Sequence, residues 1–291
     1  MKLGLQVPRF DWAAEPAAIA SGLADIARRA EEAGFASIWV MDHLLQISVM
    51  GQKDDPMLEA YTTLGYIAAA TREIQMGPLV GAVVYRHPGL LIKAATTLNV
   101  LSEGRSYFSI GAAWYAEEAQ ALGLPFPDRN TRFEMLEEVL QAAHQMWKDD
   151  ASPFQGKHVN MAWPVNHPQP VSSPRPPIMI GGNGERRTLR LVAQYGDATN
   201  LLSLEPGEVR AKLQVLREHA ERLGRPYDEI ERTSLNPRTL DSEASNAVTL
   251  EWLHSMAEAG IQHAIINLPS STLLRDIDTL GTHIIPKIRD F

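Results

Sequence analysis

Residues 37–43, Ser-Ile-Trp-Val-Met-Asp-His, decide the fold of this 291-residue chain. A run of residues suited to a buried strand leads directly into a carboxylate and an imidazole, and such continuous apolar runs are typical of parallel strands covered on both faces. In parallel α/β folds, the residues just past the carboxyl end of a strand line the ligand cavity. We therefore expect Asp42 and His43 to lie in a functional site.

Strand-like runs of the same kind alternate with helical periodicity along the whole chain. Eight strand–helix units within 291 residues predict an α/β protein with a (β/α)₈ or TIM barrel. A doubly wound sheet with a small second domain is the alternative, but no linker-like break divides the chain, which favours one domain over residues 1–291. The predicted strands are 3–7, 37–41, 74–80, 107–110, 178–180, 197–201, 230–235 and 264–267. The predicted helices are 15–33, 58–70, 89–101, a short one near Glu117, 132–147, 185–194, 206–223, 245–258 and 273–288.

Composition excludes several classes of function. A net charge of −8 argues against a general nucleic-acid or membrane-surface binder. The chain has no cysteine, which excludes disulfides, thiolate metal sites and a cysteine nucleophile. The sequence contains no His-Glu-x-x-His motif of the kind that indicates a metal site. Neither a signal peptide nor a transmembrane run is evident, so we expect a cytoplasmic protein.

Residues 151–177 form an irregular, proline-rich insertion between the fourth and fifth predicted strands. Seven prolines exclude a helix there, although residues 156–163 suit a short hairpin strand. A segment of this length without regular structure is either a lid or wall of the active site, or plain packing.

Residues 178–187, Ile-Met-Ile-Gly-Gly-Asn-Gly-Glu-Arg-Arg, are the second informative stretch. A buried strand turns through glycines toward a helix, and glycines with a helix start are suited to binding an anion. Arg186 and Arg187 add positive charge close by. The spacing matches neither a dinucleotide-binding fingerprint nor a Walker loop. The sequence leaves open a phosphate site or a simple tight turn.

Two further strand ends carry candidate residues. Within residues 85–89, Tyr-Arg-His-Pro-Gly, Arg86 and His87 are either site residues or a helix cap with a solvated arginine. After the fourth strand, the small residues Gly111 to Ala113 allow a flat ring to lie close to the backbone. Trp114 is then either a wall of that pocket or part of the core.

Together these motifs resemble the luciferase-like monooxygenase superfamily, and within it the branch that uses the deazaflavin coenzyme F420. The matching pieces are in order and lie between residue 3 and about residue 201. They are 39–43, 59–64, 85–88, 101–105, 111–118, 132–138 and 181–189.

The resemblance implies a ring-binding pocket at the carboxyl ends of the barrel strands, with His43 as the catalytic residue beside the ring. The alternative for His43 is a structural histidine held by Asp42. The resemblance also implies a non-proline cis peptide near Leu79-Val80, with the register uncertain by one residue. Trp114 replaces a glutamate found in some sugar-phosphate dehydrogenases of the family, which argues against a sugar-phosphate substrate. The implied coenzyme-binding residues are Asp42, His43, Leu79, Val80, Gly81, Gly111, Ala112, Ala113, Gly181, Gly182, Asn183, Gly184 and Arg187.

The activity implied by this resemblance is hydride transfer between coenzyme F420 and a small organic substrate. An FMN-dependent monooxygenase of the same family is the closest alternative. A barrel that binds flavin or another ligand without turnover is the other, and the presence of His43 argues against it. A homodimer without nucleic-acid or membrane partners is expected.

Overall fold

Parallel strands form a nearly closed barrel in the computed structural model, which describes residues 1–237 and 243–291. The main sheet has nine strands in the order β3-β2-β1-β11-β10-β9-β8-β5-β4. The strands are β1 (Lys2–Val7), β2 (Ser37–Val40), β3 (Gln75–Pro78), β4 (Gly81–Ala82), β5 (Phe108–Gly111), β6 (Phe154–Gln155), β7 (Asn160–Met161), β8 (Ile178–Gly181), β9 (Ala198–Leu202), β10 (Glu231–Pro237) and β11 (His263–Asn267).

Strands β3 and β4 are two halves of one barrel strand. β3 pairs with β2, and β4 pairs with β5, so the two halves join the ends of the sheet. The Met76 N–H donates to the Arg105 carbonyl at 3.0 Å, and the Tyr107 N–H donates to the Met76 carbonyl at 2.8 Å. These bonds close the ring, which confirms the predicted (β/α)₈ barrel over the doubly wound sheet.

The helices lie between the strands largely where periodicity placed them. They are α1 (Pro16–Glu32), α2 (Ala60–Ala70), α3 (Pro88–Leu101), α4 (Ala116–Ala121), α5 (Arg129–Met146), α6 (Thr188–Tyr195), α7 (Pro206–Arg222), α8 (Glu243–Glu258), α9 (Leu273–His283) and α10 (Ile285–Ile288). Three predictions were wrong. The closing helix is divided near Pro286, which has no backbone N–H to donate, and α5 begins before Arg132 because Asp128 caps it. The helix predicted from residue 185 begins only at Thr188, after a turn over residues 185–187. Among the helices of the described residues, none has the length and apolar character needed to cross a membrane.

The alternation of side chains along the strands separates an outer core from the barrel interior. On β2, Ile38 packs outward among helix residues, whereas Trp39 belongs to the interior cluster with Tyr107 and Met179. This follows from the two-residue period of a strand. Large side chains thus fill part of the interior, and the open volume lies at the carboxyl ends of the strands.

The proline-rich insertion packs against α3 and α5. Asn99 Oδ1 accepts hydrogen bonds from the Val171 and Ser172 N–H groups at 3.0 and 3.1 Å, and Gln169 donates to the Met146 carbonyl at 2.9 Å. A two-stranded hairpin, β6 with β7, lies within it. None of residues 151–177, all of them described, lines the large cavity, so the packing interpretation holds rather than the lid.

Candidate active site

A cavity of about 770 Å³ opens at the carboxyl ends of the barrel strands. The structure brings together at its wall all but one of the predicted coenzyme-binding residues, from four different strand ends. The exception is Arg187, which lies outside the lining. The predicted residues that line the cavity are Asp42, His43, Leu79, Val80, Gly81, Gly111, Ala112, Ala113, Gly181, Gly182, Asn183 and Gly184.

His43 is held at this wall by Glu118, a residue of α4 that the sequence analysis did not identify. The His43 Nδ1 lies 2.8 Å from Glu118 Oε2, and Tyr85 donates its hydroxyl proton to the same oxygen. The other carboxylate oxygen accepts from the Leu44 and Leu45 N–H groups, the latter at 2.7 Å. Glu118 is fully buried, and each of its oxygens accepts two hydrogen bonds.

This arrangement keeps Glu118 ionised and places a proton on the His43 nitrogen that faces it. Burial raises the pKa of Glu118, but the hydrogen bonds from His43, Tyr85 and Leu45 outweigh it and hold the pKa below its ordinary value. An ionised carboxylate only accepts, so His43 Nδ1 carries a proton. The His43 Nε2 has no hydrogen-bond partner among the described residues, and the side chain is 14% exposed at the cavity wall. Nε2 is therefore the atom available to exchange a proton.

Asp42 has a different partner from the one the sequence suggested. Its carboxylate forms a bidentate pair with the Arg86 guanidinium, at 2.7 and 2.8 Å, and accepts from the Ala82 N–H at 2.8 Å. Arg86 also pairs with Glu59, the N-cap of α2. Arg86 is thus part of the site's framework rather than a solvated cation, whereas His87 caps α3. The interpretation of His43 as a histidine held by Asp42 is wrong, because Arg86 takes both carboxylate oxygens.

The peptide bond between Leu79 and Val80 is cis, in the register expected from the family resemblance. It separates β3 from β4 and presents Val80 between two other strand ends. A Cβ on Gly111 would lie 2.9 Å from the Val80 side chain, and one on Gly181 would lie 2.7 Å from it. These two glycines are therefore required by the packing of Val80, a reason the sequence analysis did not foresee.

The glycine run between β8 and α6 presents free backbone donors. The Gly182 N–H donates to the Asn200 carbonyl at 2.9 Å and is unavailable to a ligand. The N–H groups of Asn183 and Gly184 have no acceptor among the described residues, and both residues line the cavity beside Thr188. Consecutive unpaired N–H groups in such a turn can bind an anion, so the geometry supports a phosphate site over a simple turn.

Two arginines at the start of α5 line the same cavity, and sequence reasoning missed their role. The Arg132 guanidinium donates to the Ala112 and Pro127 carbonyls at 2.9 and 2.6 Å. Arg129, Arg132 and Phe133 line the cavity and recur at helical spacing on one face of α5. Arg187 donates to Asn130 at 2.6 Å and lies over the Phe133 ring at 5.3 Å, so it supports this wall from behind. The signal in the sequence was the Asp128 N-cap, which starts the helix early enough to include Arg129.

Comparison with known proteins agrees with the fold. The model of the luciferase-like monooxygenase family matches residues 1–265, so the chain belongs to this family. It is 30% identical over 232 residues to an F420-dependent glucose-6-phosphate dehydrogenase of Kineococcus radiotolerans. That match covers 78% of this chain and 66% of the relative, slightly less than two thirds of the relative's length.

Solved structures with low sequence identity share the complete barrel. An F420-dependent secondary alcohol dehydrogenase, solved with an F420–acetone adduct, matches with a TM-score of 0.84 at 18% identity over 99% of both chains. The F420-dependent tetrahydromethanopterin reductase of Methanopyrus kandleri matches with a TM-score of 0.82 at 16% identity, again over 99% of both chains. At these identities the likeness establishes the fold.

Proposed function

We propose that this protein is an oxidoreductase that transfers hydride between coenzyme F420 and a small organic substrate. The observation that carries the proposal is His43, whose Nδ1 is fixed by Glu118 while Nε2 is unpaired at the wall of a large cavity. An F420-binding enzyme also needs an anchor for the phosphate of its coenzyme. The Asn183 and Gly184 amides and the α5 arginines meet this requirement. The curated relative that acts with F420 supports this choice of coenzyme.

The residues of the chain divide the work by position. The bound coenzyme would supply the hydride chemistry, and the protein would supply orientation, exclusion of water and proton handling. His43 Nε2 would accept or donate the proton that accompanies hydride transfer. Glu118 would be a positioning residue, because it fixes the ring and its tautomer without reaching the cavity itself.

Three organisational features stay predictions from the sequence. The family match over residues 1–265 and strands from Lys2 to Asn267 support one domain over the chain. The homodimer is proposed on the family resemblance, and the cytoplasmic location on the sequence, in which no signal peptide is evident.

Fluorescence titration of the purified protein with F420 and with FMN tests the coenzyme. We expect a micromolar or tighter dissociation constant for F420, about −8 kcal/mol, and weaker binding of FMN. Equal or tighter binding of FMN would instead support the monooxygenase alternative.

A separate substitution tests the proposed phosphate site. Replacing Gly182 is a poor test because its φ of +125° strains any other residue. Thr188→Val removes a hydroxyl at the cavity wall with little change in shape, and coenzyme affinity should fall by about tenfold, or about 1.4 kcal/mol. Thr97→Val, on the exposed face of α3, is the matched control. Unchanged affinity in Thr188→Val would place the phosphate elsewhere.

A further inference from the structure

The cavity has two chemically different ends. The end formed by the glycine run and α5 carries the free amides and the arginines described above. The end beside His43 is apolar, and its wall includes side chains from the loop that follows β2 and from the segment just after β5. Those lining side chains are Met41, Ile47, Val49, Met50 and Trp114.

Part of the apolar end is a packed surface, although Val49 is 76% exposed. Met41, Ile47 and Tyr115 form a buried cluster, and Met50 packs against it. The rings of Trp114 and Tyr115 lie 5.7 and 5.9 Å from the His43 ring in edge-on geometry. Trp114 is 60% exposed although it lines the cavity, which resolves its role as a wall and not as core.

Charge at this end disfavours an anion. The groups around His43 are the carboxylates of Asp42, Glu59 and Glu118, balanced by the single Arg86 guanidinium. Lys53, on the neighbouring loop, is paired with Glu117 at 2.7 Å and does not line the cavity. The cavity's lysine and arginine side chains, among the described residues, are Arg129 and Arg132 of α5. A phosphate beside His43 would therefore be desolvated without a cation to pair with it.

A cation is disfavoured for a different reason. The acceptor positions of Glu118 are filled by four donors. Asp42 accepts from Arg86 through both oxygens and from the Ala82 N–H, which leaves one acceptor position on Oδ1. A positively charged ligand would therefore find at most one acceptor position, on a carboxylate whose charge already balances Arg86. Apolar walls with few polar groups favour an uncharged ligand body.

We propose, on the basis of the proposed function, that the end of the cavity beside His43 binds an uncharged substrate with a mainly apolar body. One polar group of that substrate faces His43. Sugar phosphates and other anionic substrates are excluded from this end.

Three probes that share a six-carbon ring test the proposal: cyclohexanone, cyclohexyl phosphate and cyclohexylammonium. Binding is measured by isothermal titration calorimetry on the free protein and on the F420-loaded protein. Cyclohexanone should bind with a low-millimolar dissociation constant or tighter, as about seven non-hydrogen atoms allow. The two charged probes should bind at least tenfold more weakly to the loaded protein, in which the anion site is filled.

Two variants localise the binding. Met50→Lys should weaken cyclohexanone binding tenfold or more, whereas Met50→Leu should restore it. Val171→Lys, an exposed valine of the proline-rich insertion outside the cavity, is the control and should bind cyclohexanone like the wild type. If Met50→Lys does not fold, Val49→Lys, at a 76% exposed position on the same wall, replaces it.

The outcomes separate the two proposals. Tighter binding of cyclohexyl phosphate or cyclohexylammonium than of cyclohexanone would overturn the uncharged substrate class while leaving the coenzyme assignment intact. Failure of F420 to bind would overturn the proposed function, and the neutral and cationic probes on the free protein would still decide the nature of this end.

Discussion

Two histidine–glutamate pairs lie at opposite ends of this barrel, and they differ in what surrounds the histidine. His43 pairs with Glu118 at the carboxyl end, and its Nε2 is unpaired at a cavity. His263 lies at the start of β11 with its Nδ1 3.5 Å from Glu231, but its Nε2 lies 2.8 Å from Ser37 Oγ and the residue is fully buried.

The difference shows that a histidine–glutamate pair does not by itself make the histidine a catalytic residue. At the Glu231 end, Trp39 and Tyr107 fill the interior, and the Tyr107 hydroxyl donates to Glu231 at 2.8 Å. No ligand can reach His263, so this pair has a structural role. At the Glu118 end the same two residue types leave one ring nitrogen open to a ligand.

Replacing His43 should lower the reaction rate more than any other substitution that distinguishes the two pairs. His43→Gln keeps most of the volume and hydrogen bonding but exchanges no proton near neutral pH. Single-turnover rates should fall by about 10² to 10⁴, with coenzyme affinity changed much less. His87→Gln, at the same barrel end but outside the cavity, is the control. A wild-type rate in His43→Gln would make His43 as structural as His263.

Glu118→Gln compared with Glu231→Gln sharpens the comparison directly. A glutamine amide would face donors at both sites, so each variant should lose about 1–3 kcal/mol of unfolding free energy. Only Glu118→Gln should also lower the rate, by about tenfold or more, and change its pH profile, because it alone positions the proton-exchanging ring. Equal rates in the two variants at every pH would contradict the positioning role of Glu118.

Acid titration concerns the structural pair, where we expect a change in stability and no change in the rate. Burial raises the pKa of Glu231, but its contacts with His263, Lys2 and Tyr107 outweigh this and lower the pKa from 4.5 to about 2. Since the folded pKa lies below the unfolded one, this stabilisation is present above about pH 4.5 and is lost as the pH falls toward about 2.

Denaturant unfolding of wild type and Glu231→Gln across this range measures the effect. The two free energies of unfolding should differ by up to about 3 kcal/mol near neutral pH and converge toward pH 2. A difference that stays constant with pH would show that Glu231 contributes by packing and not by its charge.

Much of the site could be predicted because strand ends are readable in the sequence. The apolar run before Asp42 and His43, and the glycines after β8, mark the carboxyl ends of strands, and the barrel topology brings such ends together. The partners of those residues could not be read in the same way. Glu118 lies 75 residues beyond His43, and nothing in its local pattern distinguishes it from the exposed Glu117 beside it.

The sequence alone determined the alternation of strands and helices, the placement of His43 at a strand end and the glycine-rich turn after β8. These are local properties, set by side-chain periodicity and backbone freedom. Only the tertiary structure decided that Asp42 pairs with Arg86, that Glu118 orients His43, and that the proline-rich insertion lies away from the cavity. Those outcomes depend on which side chains distant in sequence meet across the barrel, and on which ring nitrogen the packing leaves open.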